Sequence, residues 1–142
     1  IALFRYARDA EMFYRKLGER LTKAGLELAE EKTRIVSFSR FRKYEKTCFT
    51  FLGIEYRWGY NSHGKDDIKR RTDTKRLRRA FEEMTKWCRE SRHQRIRKQA
   101  ELMKLKLQGH YNYYGLAGNY RSINRFYQET LRTWYKWLNR RS

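Results

Sequence analysis

A chain of 142 residues and 17.6 kDa carries 35 Lys and Arg against 16 Asp and Glu, a formal charge of +19 and a pI near 10.3. A mean hydropathy of −1.06, with no apolar run near the ~20 residues that span a bilayer, excludes a membrane-spanning chain, and no basic-then-apolar leader opens it. Disorder is also excluded, because 16% aromatic residues supply the buried surface that disordered chains lack. What remains is one small folded unit, or two, that seeks polyanions.

In chain order, Ile1–Ala7 is short and apolar enough for a buried strand. Asp9 offers an N-cap to a helix carrying Phe13, Leu17, Leu21 and Ala24 and closed by Gly25. Leu26–Leu28 and Ile35–Phe38 read as short strands around the acidic turn at Glu30-Glu31-Lys32-Thr33. Residues 49–58 alternate with period two as one strand, with Gly53 marking a bulge. Asn61–Gly64 is a turn, and residues 65–71 return as the partner strand. From Asp73 the period becomes 3.6, with Leu77, Ala80, Phe81, Met84, Trp87 and Cys88 on one stripe. A second helix carries Ile96, Ala100, Met103 and Leu107. A third, opened by Ser122, carries Ile123, Phe126, Tyr127, Leu131, Trp134 and Leu138. The predicted class is α+β, with a division between residues 1–68 and residues 69–142: strands, one helix and a hairpin, then a three-helix bundle.

Charge divides along the same line. Residues 1–68 hold 14 basic and 10 acidic side chains, residues 69–106 hold 15 and 5, and residues 107–142 hold 6 and 1 with nine aromatics. Adjacent acids (Glu30-Glu31, Asp66-Asp67, Glu82-Glu83) point in different directions and make no catalytic pair by themselves. Cys48 and Cys88, with His63, His93 and His110, have no metal-ligand spacing and read as reduced intracellular thiols and isolated histidines, so no metal or cofactor is assigned to this chain.

The basic and aromatic interleaving is the stronger signal, because Lys and Arg neutralise phosphates while exposed aromatic faces stack on unpaired bases. Lys69, Arg70, Arg71, Lys75, Arg76, Arg78 and Arg79 place seven cations in eleven positions, a nucleic-acid footprint or a solvated helix face. Lys86, Arg97, Lys98, Arg121 and Arg125 extend the candidate RNA-binding set along the three helices. His110-Tyr111-Asn112-Tyr113-Tyr114 holds three tyrosines in four positions, too many for one buried helix face; the other reading is that Tyr111 and Tyr114 are core and Tyr113 alone is exposed.

Five segments then occur in a telling order: Phe4-Arg5-Tyr6-Ala7, Gly25-Leu26-Glu27-Leu28-Ala29-Glu30-Glu31-Lys32-Thr33, Phe49-Thr50-Phe51-Leu52-Gly53-Ile54, Gly109-His110-Tyr111-Asn112-Tyr113-Tyr114-Gly115 and Trp134-Tyr135-Lys136-Trp137-Leu138-Asn139-Arg140-Arg141-Ser142. Together they resemble group II intron-encoded reverse transcriptase/maturases over essentially the whole chain. The resemblance implies a C-terminal palm remnant followed by the thumb, or X domain. The implied partners are group II intron RNA, a template–primer RNA/DNA duplex and the remaining fingers and palm of the polymerase, in a cytoplasmic ribonucleoprotein. It also implies RNA-directed DNA synthesis with Mg²⁺ by the complete enzyme, whose aspartate pair follows Tyr-Ala. In this chain Tyr6-Ala7 is followed by Arg8-Asp9-Ala10-Glu11, so no catalytic or metal-binding residue is carried over. Lys32 falls in the family's Glu-Lys-Thr motif near the incoming nucleotide; a salt bridge with Glu30 or Glu31 is its other reading. The expected role is RNA binding that assists splicing, the alternative being a decayed, non-catalytic RNA-binding scaffold.

Overall fold

The computed structural model describes residues 1–41 and 48–141. Its architecture is α+β: a three-stranded antiparallel sheet and four helices. Helix α1 spans Ala7–Lys23 and is followed by a 3₁₀ turn at Glu30–Lys32. Strands β1 (Cys48–Phe51), β2 (Ile54–Tyr60) and β3 (Asp66–Thr72) pair in the order β1-β2-β3. Helices α2 (Thr74–Ser91), α3 (Ile96–Tyr114) and α4 (Tyr120–Leu138) complete the chain. Among the described residues, no helix is long and apolar enough to cross a membrane.

The N-terminal elements depart most from expectation. Residues 1–6 form no strand, α1 starts at Ala7, and Asp9 sits inside the first turn, where its charge favours the helix dipole instead of capping it. Neither Leu26–Leu28 nor Ile35–Phe38 joins a ladder. A strand needs a neighbouring strand to pair with, and the described residues supply none to these segments; the Leu26 amide bonds back to the Leu21 carbonyl of α1 instead. None of residues 1–41 is buried. Gly25 does end α1, its amide bonded to the Thr22 carbonyl.

The stretch read as one bulged strand is instead a hairpin. Phe51 pairs with Ile54 across a two-residue turn in which Leu52 (φ 49°) and Gly53 (φ 76°) are both left-handed. Two positive φ values are the signature of a tight hairpin turn matched to strand twist, so Gly53 reverses the chain where a bulge was expected. The next turn follows the sequence reading: the Asn61 side-chain oxygen accepts from the amides of His63 and Lys65 at 2.9 and 3.0 Å.

Apolar periodicity finds all three helices of the second half, but on α3 Ile96 and Ala100, expected on the apolar stripe, are exposed, and Gln99 takes the buried position with Met103 and Leu107. Asp73 caps α2 by accepting the Arg76 amide at 3.0 Å, and α4 begins at Tyr120, two residues before Ser122. Leu77, Met84, Cys88, Met103, Leu107 and Phe126 form the core, with Phe81, Trp87, Tyr111 and Trp134 packed around it. Burying side chains of this size contributes roughly 1.5–3 kcal/mol each. Helices α2 and α4 run parallel and in register. Thr72 meets Asn119, Phe81 meets Phe126 and Gln94 meets Arg141, at sequence separations of 47, 45 and 47 residues.

Sheet and bundle are joined by a buried amide. Asn119 accepts the Thr72 amide at 2.8 Å and donates to the Thr72 hydroxyl at 2.8 Å and the Tyr114 carbonyl at 2.7 Å. The Tyr113 hydroxyl donates to the Leu52 carbonyl at 3.1 Å, tying the hairpin turn to α3. The position taken as the start of the helical half, residue 69, lies within β3, and α2 follows that strand after one capping residue.

Candidate nucleic-acid interface

Strand alternation splits the basic run at 69–71. Lys69 and Arg71 lie opposite Arg57 and Glu55 on one sheet face, while Arg70 lies opposite Tyr56 on the other. On the first face Lys69 and Arg71 are already engaged. Arg71 grips Glu55 with two bonds, at 2.8 and 2.9 Å, and Lys69 reaches Asp67 at 3.2 Å. Glu55 is buried, and its hydrogen bond holds the Arg71 guanidinium pKa above the ordinary value. A two-pronged pair on a buried carboxylate is not readily surrendered to a phosphate, since removing one partner strands the other.

On α2 the pairing is looser. Arg78 meets Glu82 at 3.0 Å and Arg79 meets Glu83 at 3.1 Å, both i,i+4 and well exposed. Such pairs contribute about 0.3–0.5 kcal/mol, little enough for a phosphate to displace. Arg70, Lys75, Arg76 and Lys86 have no acidic partner among the described residues, and Lys75, Arg76 and Lys86 are exposed. Arg97 and Lys98 occupy the exposed first turn of α3, which holds no acid, and so add to the positive end of that helix.

Of the three tyrosines at the end of α3, Tyr111 and Tyr114 are half-buried and Tyr113 is exposed, although its hydroxyl is spent on the hairpin turn. Burial raises the Tyr111 and Tyr114 hydroxyl pKa values. His110, which the sequence left unassigned, stacks on Phe126 with ring centroids 3.8 Å apart.

Sequence reasoning took only part of the outer face of α4, naming Arg121 and Arg125 but not Arg132 and Lys136. Arg121, Arg125, Arg132 and Lys136 recur at steps of four, seven and four residues and so share one stripe about 22 Å long. Arg125 also lies over the Phe81 ring at 5.9 Å, and Arg132 bonds Glu129 at 2.9 Å. Tyr120, Tyr127 and Tyr135 of the same helix are exposed by 74%, 38% and 68%; Tyr135 flanks the stripe, while Tyr120 and Tyr127 lie more than a quarter-turn round the helix from it. Tyr127, assigned to the core by periodicity, is at the surface instead, because Phe126 and Thr130 take the buried positions. Recurrence of Arg at four and seven residues, and of Tyr at seven and eight, was the available signal.

Lys32 stands apart from these groups. It lies in the 3₁₀ turn, 3.9 Å from Glu31, with both side chains about four-fifths exposed. The magnesium site implied for a complete polymerase does not fit the residues present. Arg8 brings positive charge beside Asp9, and no three His, Cys, Asp or Glu side chains converge among the described residues. Set beside protein-family models, curated proteins and solved structures, the chain matches none of them.

Proposed function

We propose that this chain is the RNA-binding palm and thumb portion of a group II intron reverse transcriptase/maturase. It grips folded intron RNA through phosphates and assists splicing chemistry that the RNA performs. In the complete, cytoplasmic protein it clamps the template–primer duplex during RNA-directed DNA synthesis. The observation that supports this reading is the surface of α4, where one stripe carries four cations flanked by the unburied Tyr135 and another side carries Tyr120 and Tyr127, together with the loosely paired arginines of α2. Phosphate neutralisation and base stacking are the two interactions that such a surface supplies. The apolar side chains exposed on residues 1–41, Leu3, Phe13, Leu26 and Ile35 among them, support the fingers and palm of such a polymerase as the second partner.

A salt titration of RNA binding tests the assignment. Each phosphate contact contributes about 0.7–0.9 to the slope of log affinity against log salt, so Arg121→Ala with Arg125→Ala is expected to flatten it by about 1.5. An unchanged slope removes α4 from the interface. The scaffold alternative is favoured by Arg8 beside Asp9, where the family carries paired aspartates. RNA affinity without stimulation of intron splicing selects it, and primer extension by this chain with Mg²⁺ overturns both readings.

A further inference from the structure

Between α3 and α4 lies an open groove of about 230 Å³, walled by Met103, Leu107, Tyr111, Tyr127 and Trp134, with Lys104 and Gln108 at its rim. Its volume exceeds the ~30 Å³ share of a water several-fold and admits one flat heterocycle, but not a helix. The walls are set from behind. The Trp134 indole donates to the Gln99 side-chain oxygen at 2.9 Å, and Gln99, itself buried, donates to the Arg92 and Gln94 carbonyls at 3.3 and 2.8 Å. No acidic residue lines the groove, and its one charge is the ammonium of Lys104. The Gln108 amide donates to Asn112 at 2.9 Å, while its side-chain oxygen takes no hydrogen bond among the described residues. Tyr127 belongs both to this groove and to the exposed tyrosines of α4.

An aromatic-walled slot whose only charge is positive complements a group with an apolar face and an anionic tether. We propose that the α3–α4 groove is a slot for one unpaired nucleobase of single-stranded RNA. The base stacks on Tyr127, offers its edge to Gln108 and brings its phosphate to Lys104. The inference rests on the RNA-binding reading and narrows it: a base held in a duplex cannot enter, so this site selects unpaired nucleotides.

The test compares one short single-stranded RNA with the same RNA annealed to its complement, bound to the full chain and to variants whose fold is checked by circular dichroism. Tyr127→Ala is expected to weaken single-strand binding about fivefold to hundredfold, the range for one lost stacked base, and to leave duplex binding and the salt slope unchanged. Tyr127→Phe, which keeps the ring, retains single-strand affinity even if the alanine variant is poorly folded. Lys104→Ala lowers the salt slope for the single strand alone. Equal losses on both RNAs overturn the slot. So does full single-strand affinity in a folded Tyr127→Ala variant, an outcome that leaves the groove to an apolar side chain of a protein partner. Wild-type chain that binds neither RNA overturns the underlying function instead.

Discussion

His110 lies flat against Phe126 and near Tyr114, and its Nε2 is buried without a hydrogen-bond partner among the described residues. Burial pushes its pKa from 6.5 to about 4, so the fold accepts the neutral ring and rejects the cation. A pKa lowered on folding means that this stability is complete above pH 6.5 and is lost as pH falls from there towards 4. At 1.36 kcal/mol per unit, discounted because the ring is partly solvated, the loss is on the order of 2 kcal/mol. Urea midpoints should fall over this pH window, and His110→Phe should flatten the fall. An identical pH profile in the variant refutes the assignment. Sequence alone showed an isolated histidine. Its role depends on Phe126 arriving from another helix, a contact that no spacing along the chain encodes. The same holds for Arg71, indistinguishable from Arg70 in composition but committed to Glu55 by strand register.

Among the elements, the β1–β2 hairpin shows where local reasoning stopped short. Alternation at residues 49–58 and the glycine were both visible, and both agree with a bulged strand as well as with a turn. What separates them is that Leu52 adopts φ 49°, a conformation costing roughly 1–2 kcal/mol for a residue with a side chain. The turn accepts this strain because the flanking residues pair and the Leu52 carbonyl receives the Tyr113 hydroxyl. Leu52→Asn, which suits the left-handed region and keeps that carbonyl, should stabilise the protein by about 1 kcal/mol; the side chain removed is largely exposed. Thermal unfolding reads this directly, and a lowered midpoint contradicts the turn assignment. Helices α2, α3 and α4 were legible because their apolar stripes meet one another. The strands expected at Leu26–Leu28 and Ile35–Phe38 were not, because apolar composition does not provide an adjacent strand.

On the scale of the molecule, stability is unevenly distributed. The six-residue core lies wholly within α2, α3 and α4, whereas α1 buries nothing. Local opening is governed by buried apolar contact, so α1 amides should exchange with solvent orders of magnitude faster than the central amides of α2 and α4. Native-state hydrogen exchange measures this, and protection of α1 equal to that of α2 shows that the helix is held by contacts not described above. The positive charge is also unevenly usable. Four of the seven cations in the run at 69–79 are consumed by Glu55, Asp67, Glu82 and Glu83, whereas only one of the four on α4 meets an acid among the described residues, so both leave three.

The sequence by itself determined the α+β class, the three long helices, the turn at Asn61 and the basic, aromatic character of the C-terminal half. Each of these is set by neighbours within a few residues: apolar period, a capping side chain, or plain composition. Tertiary structure decided which cations are spent on acids, which tyrosines face solvent, and where the α3–α4 groove opens. Those outcomes depend on strand register and on the parallel docking of α2 with α4, held at one end by Asn119 on Thr72 and at the other by Arg141 on Gln94. Interactions across forty-seven positions have no local signature, because the residues that make them are ordinary until the fold brings them together.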